Sequence, residues 1–405
     1  MKILHISLRY RINSGYQDNI ITREQVRLGH EVYLMANWIC DFNGNLTTRD
    51  FETDGVHVVY VENKRYSGYF SKFGIIERLY EHIEEISPDI IFVHFGQFVS
   101  MNQVIKYCRR NPNVKLYIDN HSDYYNTPVN TLKQSILFRC IYGNGLRCAY
   151  KYVTKYWGVT PWRCQYLHEV YHIPEDKIDL LVMGGEDEYI HFDKQTEIRE
   201  EIRDQLNILS DDFVIITGGK IDAAKNIHLL MEAIRDINNS RLKLIVFGEA
   251  DDNMKVQIEE LSRHSNIRNI GWIEAEKVYD YYLASDLAFF PGTHSVLWEQ
   301  ACACGLPIVV KHWLGMEHID LGGNCLFIDD ICVENIKSII MELCTCSEKS
   351  NGQMSGGKDD LNISPMLKIQ TSKYVAMKQI AMDRGVSYFS YKRIAAKAIG
   401  IEEVK

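Results

Sequence analysis

Lys220 and Lys225 lie on the segment Ile215-Ile-Thr-Gly-Gly-Lys-Ile-Asp-Ala-Ala-Lys-Asn226, which leaves an apolar run through Gly218 and Gly219. Two ammonium groups so spaced on a loop can converge on a diphosphate and stabilise the charge that builds as it leaves. The glycines would let the diphosphate approach the backbone. The plain alternative is a solvated loop with two surface lysines, because Gly-Gly-Lys is a weak pattern and this is not a Walker loop. Its place directly after a strand favours the phosphate reading.

A second segment carries matching chemistry. Pro291-Gly-Thr-His-Ser-Val-Leu-Trp-Glu-Gln-Ala-Cys-Ala-Cys-Gly-Leu-Pro307 stands between the apolar runs 286–290 and 308–310. That order reads as strand, small polar loop, helix, Gly-Pro turn, strand. Free N–H groups around Gly292, Thr293 and Ser295, together with the positive end of the helix, suit an anion. Glu299 is read as two turns into the helix, where its carboxylate could accept hydrogen bonds from a ribose. His294, beside the loop amides, could touch a sugar or a phosphate.

Weaker candidates follow other strands. Gly248 and Glu249 end the run Leu242–Phe247; Gly248 permits close approach and Glu249 could face a ligand, though an ordinary turn explains both. Trp272 follows Ile267–Gly271 and could line a base or belong to the core. In the first half, Gly15 opens a turn and helix after the first strand and suits an acceptor or a donor phosphate. His121, in Asp119-Asn-His-Ser-Asp123, could hydrogen-bond a sugar or carry a proton; the alternative is a satisfied structural histidine.

These residues need strands to hold them. Short β-branched runs at Lys2–Ser7, Val32–Met35, Val56–Val61, Ile90–His94, Lys115–Ile118, Trp157–Val159 and Ile178–Val182 alternate with helical stretches such as Gln17–Leu28 and Gly74–Ile86. After the polar stretch Glu186–Ser210 the pattern restarts. Strands are expected at Phe213–Thr217, Leu242–Phe247, Ile267–Gly271, Leu287–Phe290, Ile308–Val310 and Leu326–Ile328. Helices are expected at Asn226–Ile237, Asn253–Ser262, Ala275–Ala284 and Trp298–Cys304. The alternation implies an α/β chain of two Rossmann-like, doubly wound domains, with candidate residues at the carboxyl ends of strands facing a central cleft. The expected domains are 1–190, 191–375 and a C-terminal helical piece, 376–405, returning to the first. Ser347–Asn362, rich in Gly, Ser, Lys and Asp, reads as a flexible loop or insert.

Bulk composition narrows the classes. The chain has 405 residues, 46% apolar and 24% charged, with a net charge of −9. The length suits two domains. The acidic balance argues against nucleic acid as a partner. The count of 11 cysteines is odd, and they are scattered through apolar runs, which fits a reducing cytoplasm rather than a disulfide framework. Cys302/Cys304 and Cys344/Cys346 are spaced too tightly for a zinc site and read as buried or free thiols. The chain starts at once as a strand, so no leader is expected, and no apolar run approaches a membrane span. Residues 131–157 carry Lys133, Arg139, Arg147, Lys151 and Lys155 with many aromatics and no acid. They could rest on an anionic membrane surface at the inner face of the cell membrane, or pack on the sheet with snorkelling basic groups.

Together these residues resemble the GT-B-fold glycosyltransferases of family 4, the large retaining group that acts in polysaccharide, capsule and lipopolysaccharide synthesis. Gly15 through Val32 matches the family's Gly-rich turn, helix and Gly-His-Glu-Val. Residues 173–186 are similar to its linker into the second domain. Gly219-Lys220-x4-Lys225-Asn226 stands for Gly-Arg-x4-Lys-Gly, so Lys220 and Lys225 inherit the diphosphate. The closing signature is matched in part by 291–307, with Glu299 at the ribose position, and His121 resembles the histidine that meets the donor sugar. Pro291 replaces the family's first glutamate, Thr293 and His294 replace Phe-Gly, and Lys220 replaces arginine, losing the bidentate fork. The resemblance implies retaining transfer of a hexosyl-type sugar from a nucleotide diphosphate sugar to a hydroxyl of a glycan or lipid-linked glycan. No Asp-x-Asp motif stands in a loop after a strand, which agrees with transfer that uses no metal or other cofactor. Two alternatives remain: an epimerase of nucleotide sugars on the same fold, and a non-catalytic nucleotide-sugar-binding partner of another transferase, which Pro291 keeps open.

Overall fold

Runs of Ile, Val, Leu and Phe with no polar interruption can be covered on both faces only inside a parallel sheet. In Phe213–Gly218 and Leu242–Phe247 every residue is buried, and in Lys2–Ser7 all but the first. The computed structural model describes residues 1–41, 43–62, 75–344 and 371–401. The chain divides into two units: Met1–Glu186 with Leu314–His318 and Ser390–Lys405, and Asp187–Trp313 with Ile319–Phe389.

The first unit is built on an eight-stranded sheet. Its order is Ile178–Leu180, Val153–Gly158, Lys115–Asn120, Ile90–Val93, Lys2–Ser7, Glu31–Ala36, Val56–Tyr60, Phe51–Thr53. All neighbours are parallel except the last pair. From Lys2–Ser7 the chain first adds strands on one side, then crosses to add Ile90–Val93 on the other. The carboxyl ends of Lys2–Ser7 and Ile90–Val93 therefore diverge at a topological switch point, where such sheets leave room for ligands. The chain's last long helix, Tyr391–Ala398, packs in this unit against Gln17–Arg27. The Trp157 indole donates to the Ala398 carbonyl at 3.1 Å, and the Lys397 ammonium donates to the Leu180 carbonyl at 2.7 Å.

The second unit has a six-stranded parallel sheet in the order Ile267–Gly271, Leu242–Phe247, Phe213–Gly218, Leu287–Phe290, Ile308–Lys311, Cys325–Ile328. Here the reversal falls between Phe213–Gly218 and Leu287–Phe290. The two loops that carry the lysines and the Pro291 segment leave the sheet at this second switch point.

Several elements differ from the sequence reading, each for a local reason. The strand expected at Trp157–Val159 begins at Val153; Thr154 and Lys155 break its apolar run, and Lys155 reaches out to the Asp176 carbonyl. The polar stretch 186–210 contains the helix Gln195–Gln205, whose arginines are consumed inside the unit. The helix expected from Asn226 begins at Ile227, because Asn226 is left-handed with φ 52° after a single 3-10 turn at Ala223–Lys225. The tail helix is broken: Phe389 and Ser390 separate Val386–Tyr388 from Tyr391–Ala398. The helix expected at Gly74–Ile86 spans Leu79–Ile86, its first residue lying outside the described ones. The Ser347–Asn362 insert and Cys346 also lie outside the described residues. Cys302 and Cys304 are buried free thiols, and Cys344 is buried.

Asp286 is the main polar tie of the second unit. Its carboxylate accepts from Arg199 at 2.6 Å, from Arg203 at 2.8 Å and from the Val214 amide at 2.8 Å, while Arg203 is 2% exposed. Removing one partner of a buried ion pair leaves the other charge uncompensated. Asp286→Ala should lower the unfolding free energy by about 3 to 5 kcal/mol, read as a shift in urea midpoint; a loss under about 1 kcal/mol would mean the pair is idle.

Candidate functional site

The residues of the second unit meet where its sheet reverses. A hollow there is lined by Thr217, Gly218, Lys225, Ile227, Phe290, Pro291, Gly292, Thr293 and Ser295. Five of the sequence candidates thus come together: Gly218, Lys225, Gly292, Thr293 and Ser295.

Three successive carbonyls of the Pro291 loop are held by side chains, two of them from the 222–226 turn and one from Trp313, which follows the strand Ile308–Lys311. The Pro291 carbonyl accepts from the Asn226 side-chain amide at 3.1 Å, that of Gly292 from the Trp313 indole at 3.1 Å, and that of Thr293 from the Lys225 ammonium at 2.7 Å. The Thr293 amide donates to the Ala224 carbonyl at 3.3 Å. The Asp222 carboxylate shapes the turn by accepting from the amides of Ala224 and Lys225. The loops touch so closely that a Cβ on Gly292 would sit 2.3 Å from the Lys225 Cα. The Thr293 amide, expected among the free anion donors, is therefore spent inside the loop pair.

The lysines differ in kind. Lys220 has a side chain 73% exposed, with the Asp222 carboxylate 3.8 Å away. Lys225 is largely enclosed. Burial pulls its pKa down and the Asp222 charge offsets part of that. The Lys225 ammonium ties the loops together in the lining of the hollow, while Lys220 is exposed and lies outside that lining.

Gly248 has a structural reason of its own. Its φ is +113°, and a Cβ there would lie 1.8 Å from the Gly219 carbonyl oxygen. The backbone packed against Gly248 is that of Gly219. Glu249 is exposed, and Trp272 is 65% exposed beyond the edge strand Ile267–Gly271; neither lines the hollow.

Glu299 is fully buried in the first turn of Leu297–Ala303, not two turns in, because the loop runs longer before the helix begins. Its Oε1 is 2.8 Å from the His294 Nε2, and the His294 ring stands edge-on to Trp298 at 5.0 Å. His294 is thereby oriented by the same carboxylate that the resemblance assigns to a ribose.

Gly15 and His121 belong to the first unit. Gly15 is exposed, and a Cβ there would meet nothing within 4 Å. His121 stacks on the Phe95 ring at 4.4 Å, and its Nε2 lies 3.6 Å from the Asp119 carboxylate. Behind it stands a group that the sequence reading missed: Asp119, His94 and His5, all buried. Each sits inside or at the end of an apolar strand, and only their position at the switch point distinguishes them from core residues. The His94 charge and His121 hold the Asp119 carboxyl well below its usual range against the opposing effect of burial.

Known proteins resemble this chain in the second unit's sequence and in its fold. Residues 198–354 match the family model described as "Glycosyl transferases group 1". A curated "uncharacterized glycosyltransferase MJ1607" of Methanocaldococcus jannaschii is 22% identical over 158 residues, 37% of this chain; the match spans 40% of that protein's length. A crystal structure of a glycosyltransferase from Rickettsia africae superposes with a TM-score of 0.66 at 14% identity, covering 99% of this chain and 97% of that one. Anabaena Alr3699/HepE in complex with UDP and glucose gives 0.60 at 14%, covering 98% of each chain. The fold is GT-B. Both Rossmann-like units belong to it, and the family match covers much of the second unit, including its hollow.

The glycine roles give a direct check. Gly248→Ala should destabilise the chain by more than about 2 kcal/mol through strain and overlap. Gly15→Ala should stay within about 0.5 kcal/mol. Equal unfolding midpoints for the two would refute the packing role of Gly248.

Proposed function

We propose that the chain is a glycosyltransferase that moves a sugar from a nucleoside diphosphate sugar to a hydroxyl of a glycan or lipid-linked glycan. The observation that carries this is the hollow at the second unit's switch point, lined by a fixed cation, Lys225, and small residues, inside the segment that matches the group 1 family model. Anabaena HepE, with UDP and glucose in its crystal, makes uridine diphosphate hexoses the first donors to test.

In this reading Lys220 closes on the diphosphate and takes the charge that develops on it in the transition state, and Lys225 holds the loops that receive it. Glu299, held against His294, meets the ribose, and His121 meets the sugar. Transfer is retaining and needs no metal, as the resemblance implies. The reaction breaks the anomeric C–O bond to the diphosphate, forms a C–O bond to the acceptor, and passes the acceptor's proton to the leaving phosphate.

Residues 131–157 support a surface role. Leu132 is 79% and Ile136 49% exposed, with Lys133 and Arg139 also outward, whereas Arg147 is used internally on the carbonyls of Tyr171 and Arg139. No helix among the described residues is long and apolar enough to cross a membrane. We read this face as resting on an anionic bilayer, in keeping with a lipid-linked acceptor. Binding to vesicles containing phosphatidylglycerol should weaken in Lys133→Glu/Arg139→Glu, and equal binding by both proteins would remove the reading.

Lys220→Ala should cut transfer by at least about 100-fold with the unfolding midpoint unchanged. Lys225→Ala should lower both transfer and the midpoint, since it also frees the Thr293 carbonyl. Full turnover by the Lys220 variant would sink the diphosphate assignment. Nucleotide binding without sugar release, across a panel of acceptors, would favour the non-catalytic alternative.

A further inference from the structure

At the switch point of the first unit, a line of side chains runs from the last helix to His121. The Gln25 amide nitrogen donates to the Ala395 carbonyl at 3.2 Å. The Gln25 Oε1 lies 2.7 Å from His5 Nε2, His5 Nδ1 lies 3.0 Å from His94 Nε2, and His94 Nδ1 lies 2.7 Å from Asp119 Oδ2. Gln25, His5, His94 and Asp119 are all at most 2% exposed.

The chemistry of the two ends fixes every proton between them. A carbonyl can only accept, so Gln25 must turn its NH2 to Ala395 and its oxygen to His5. His5 then donates from Nε2. If it stays neutral, its Nδ1 accepts, and His94 must donate from Nε2. At the other end a carboxylate also accepts, so His94 donates from Nδ1 as well. A ring that donates from both nitrogens is an imidazolium. The surroundings agree. Burial lowers the His5 pKa to about 3, with the His94 charge adding to it. Burial opposes the charge on His94, but Asp119 and, more weakly, Asp18 outweigh it and its pKa is raised. The groups facing His94 are His5 from the first strand, Asp18 from the first helix and Asp119 from the neighbouring strand.

Asp119 passes this order outward in two ways. Its Oδ1 accepts from the Phe95 amide at 2.9 Å, and Phe95 is held in the left-handed region at φ 54°. That is a costly conformation for a bulky residue, one that persists only where its surroundings hold it. The Phe95 ring is the platform on which His121 stacks, and Asp119 Oδ2 faces the His121 ring.

We infer that the line from the Ala395 carbonyl through Gln25, His5 and His94 to Asp119 is a positioning device that sets the orientation of His121 and ties it to the docking of the last helix. Its effect on transfer rests on the reading that His121 meets the donor sugar; its existence does not. His5, His94 and Gln25 are positioning residues, since none need touch substrate.

The test has two arms. In the full-length protein labelled with 15N-histidine, NMR at pH 7 should show both ring nitrogens of His94 protonated and His5 protonated at Nε2 alone. A His94 ring with one bare nitrogen overturns the device. In the second arm, His5→Phe removes the acceptor for His94 Nε2, and transfer kcat should fall about 10- to 100-fold. Donor KM should change by less than about twofold. His5→Gln, whose amide oxygen can still accept from His94, should recover most of the rate. Wild-type kcat in His5→Phe, or equal losses in both variants, overturns the coupling. Full turnover in His121→Ala would instead contradict the sugar contact alone, with the ring-proton pattern of the first arm still deciding the device.

Discussion

The contact between the 222–226 turn and the 291–295 loop is the constraint on which the second unit's site depends. Each loop leaves a different strand at the point where the sheet reverses, and nothing in a parallel sheet requires two such loops to meet. They meet because Asn226 and Lys225 donate to the carbonyls of Pro291 and Thr293 and the Thr293 amide donates to Ala224, while Trp313 holds the Gly292 carbonyl between them from outside both loops. The absence of a side chain at Gly292 lets the loop lie against Lys225, and that at Gly248 lets the next turn close on Gly219. A substitution at any of these positions would move the walls of the hollow. The division of labour between the lysines follows. A half-buried ammonium already bonded to a carbonyl is a structural cation, and an exposed one nearby is free to follow a substrate.

The first unit meets the same topological situation with different materials. Its switch point lies between Lys2–Ser7 and Ile90–Val93, and the side chains there are histidines and a carboxylate rather than glycines and lysines. Placing a charged imidazole inside a core is unfavourable unless a counter-charge and a full set of hydrogen bonds accompany it. Asp119 supplies the charge, and His5 and Gln25 complete the bonds. The outcome is a rigid backing for Phe95 and His121 at the place where such sheets bind ligands.

The sheets were legible in the sequence because their strands are buried on both faces and read as unbroken apolar runs. The reading failed where polarity is internal. Thr154 and Lys155 hid the start of Val153–Gly158, and the density of charge, Asp and Glu above all, made the helix Gln195–Gln205 read as a polar stretch. In the site, the strand-loop-helix order around 291–307 and the loop at 218–226 were readable, as were five of the residues that line the hollow. The partners of their carbonyls were not: Trp313 lies outside both segments, and Asn226 read as a helix start rather than as a donor. His5 and His94 were invisible for a similar reason: a histidine in an apolar strand looks the same whether it is a lone core residue or part of a relay. The glycines divide: a Cβ on Gly15 would meet nothing within 4 Å, whereas at Gly292 and Gly248 the protein's own backbone approaches closely.

The central claim is that the hollow at the second unit's reversal receives the diphosphate of a nucleotide sugar. The most direct measurement is calorimetric titration of the intact protein with a nucleoside diphosphate and with the matching nucleoside, at low and at physiological salt. Charge-assisted contacts of about 1.5 to 3 kcal/mol each predict that the nucleoside binds at least about 100-fold more weakly. The diphosphate's advantage should shrink as salt rises, because the exposed Lys220 is screened. A nucleoside that binds as tightly as its diphosphate, at either salt concentration, would contradict the account.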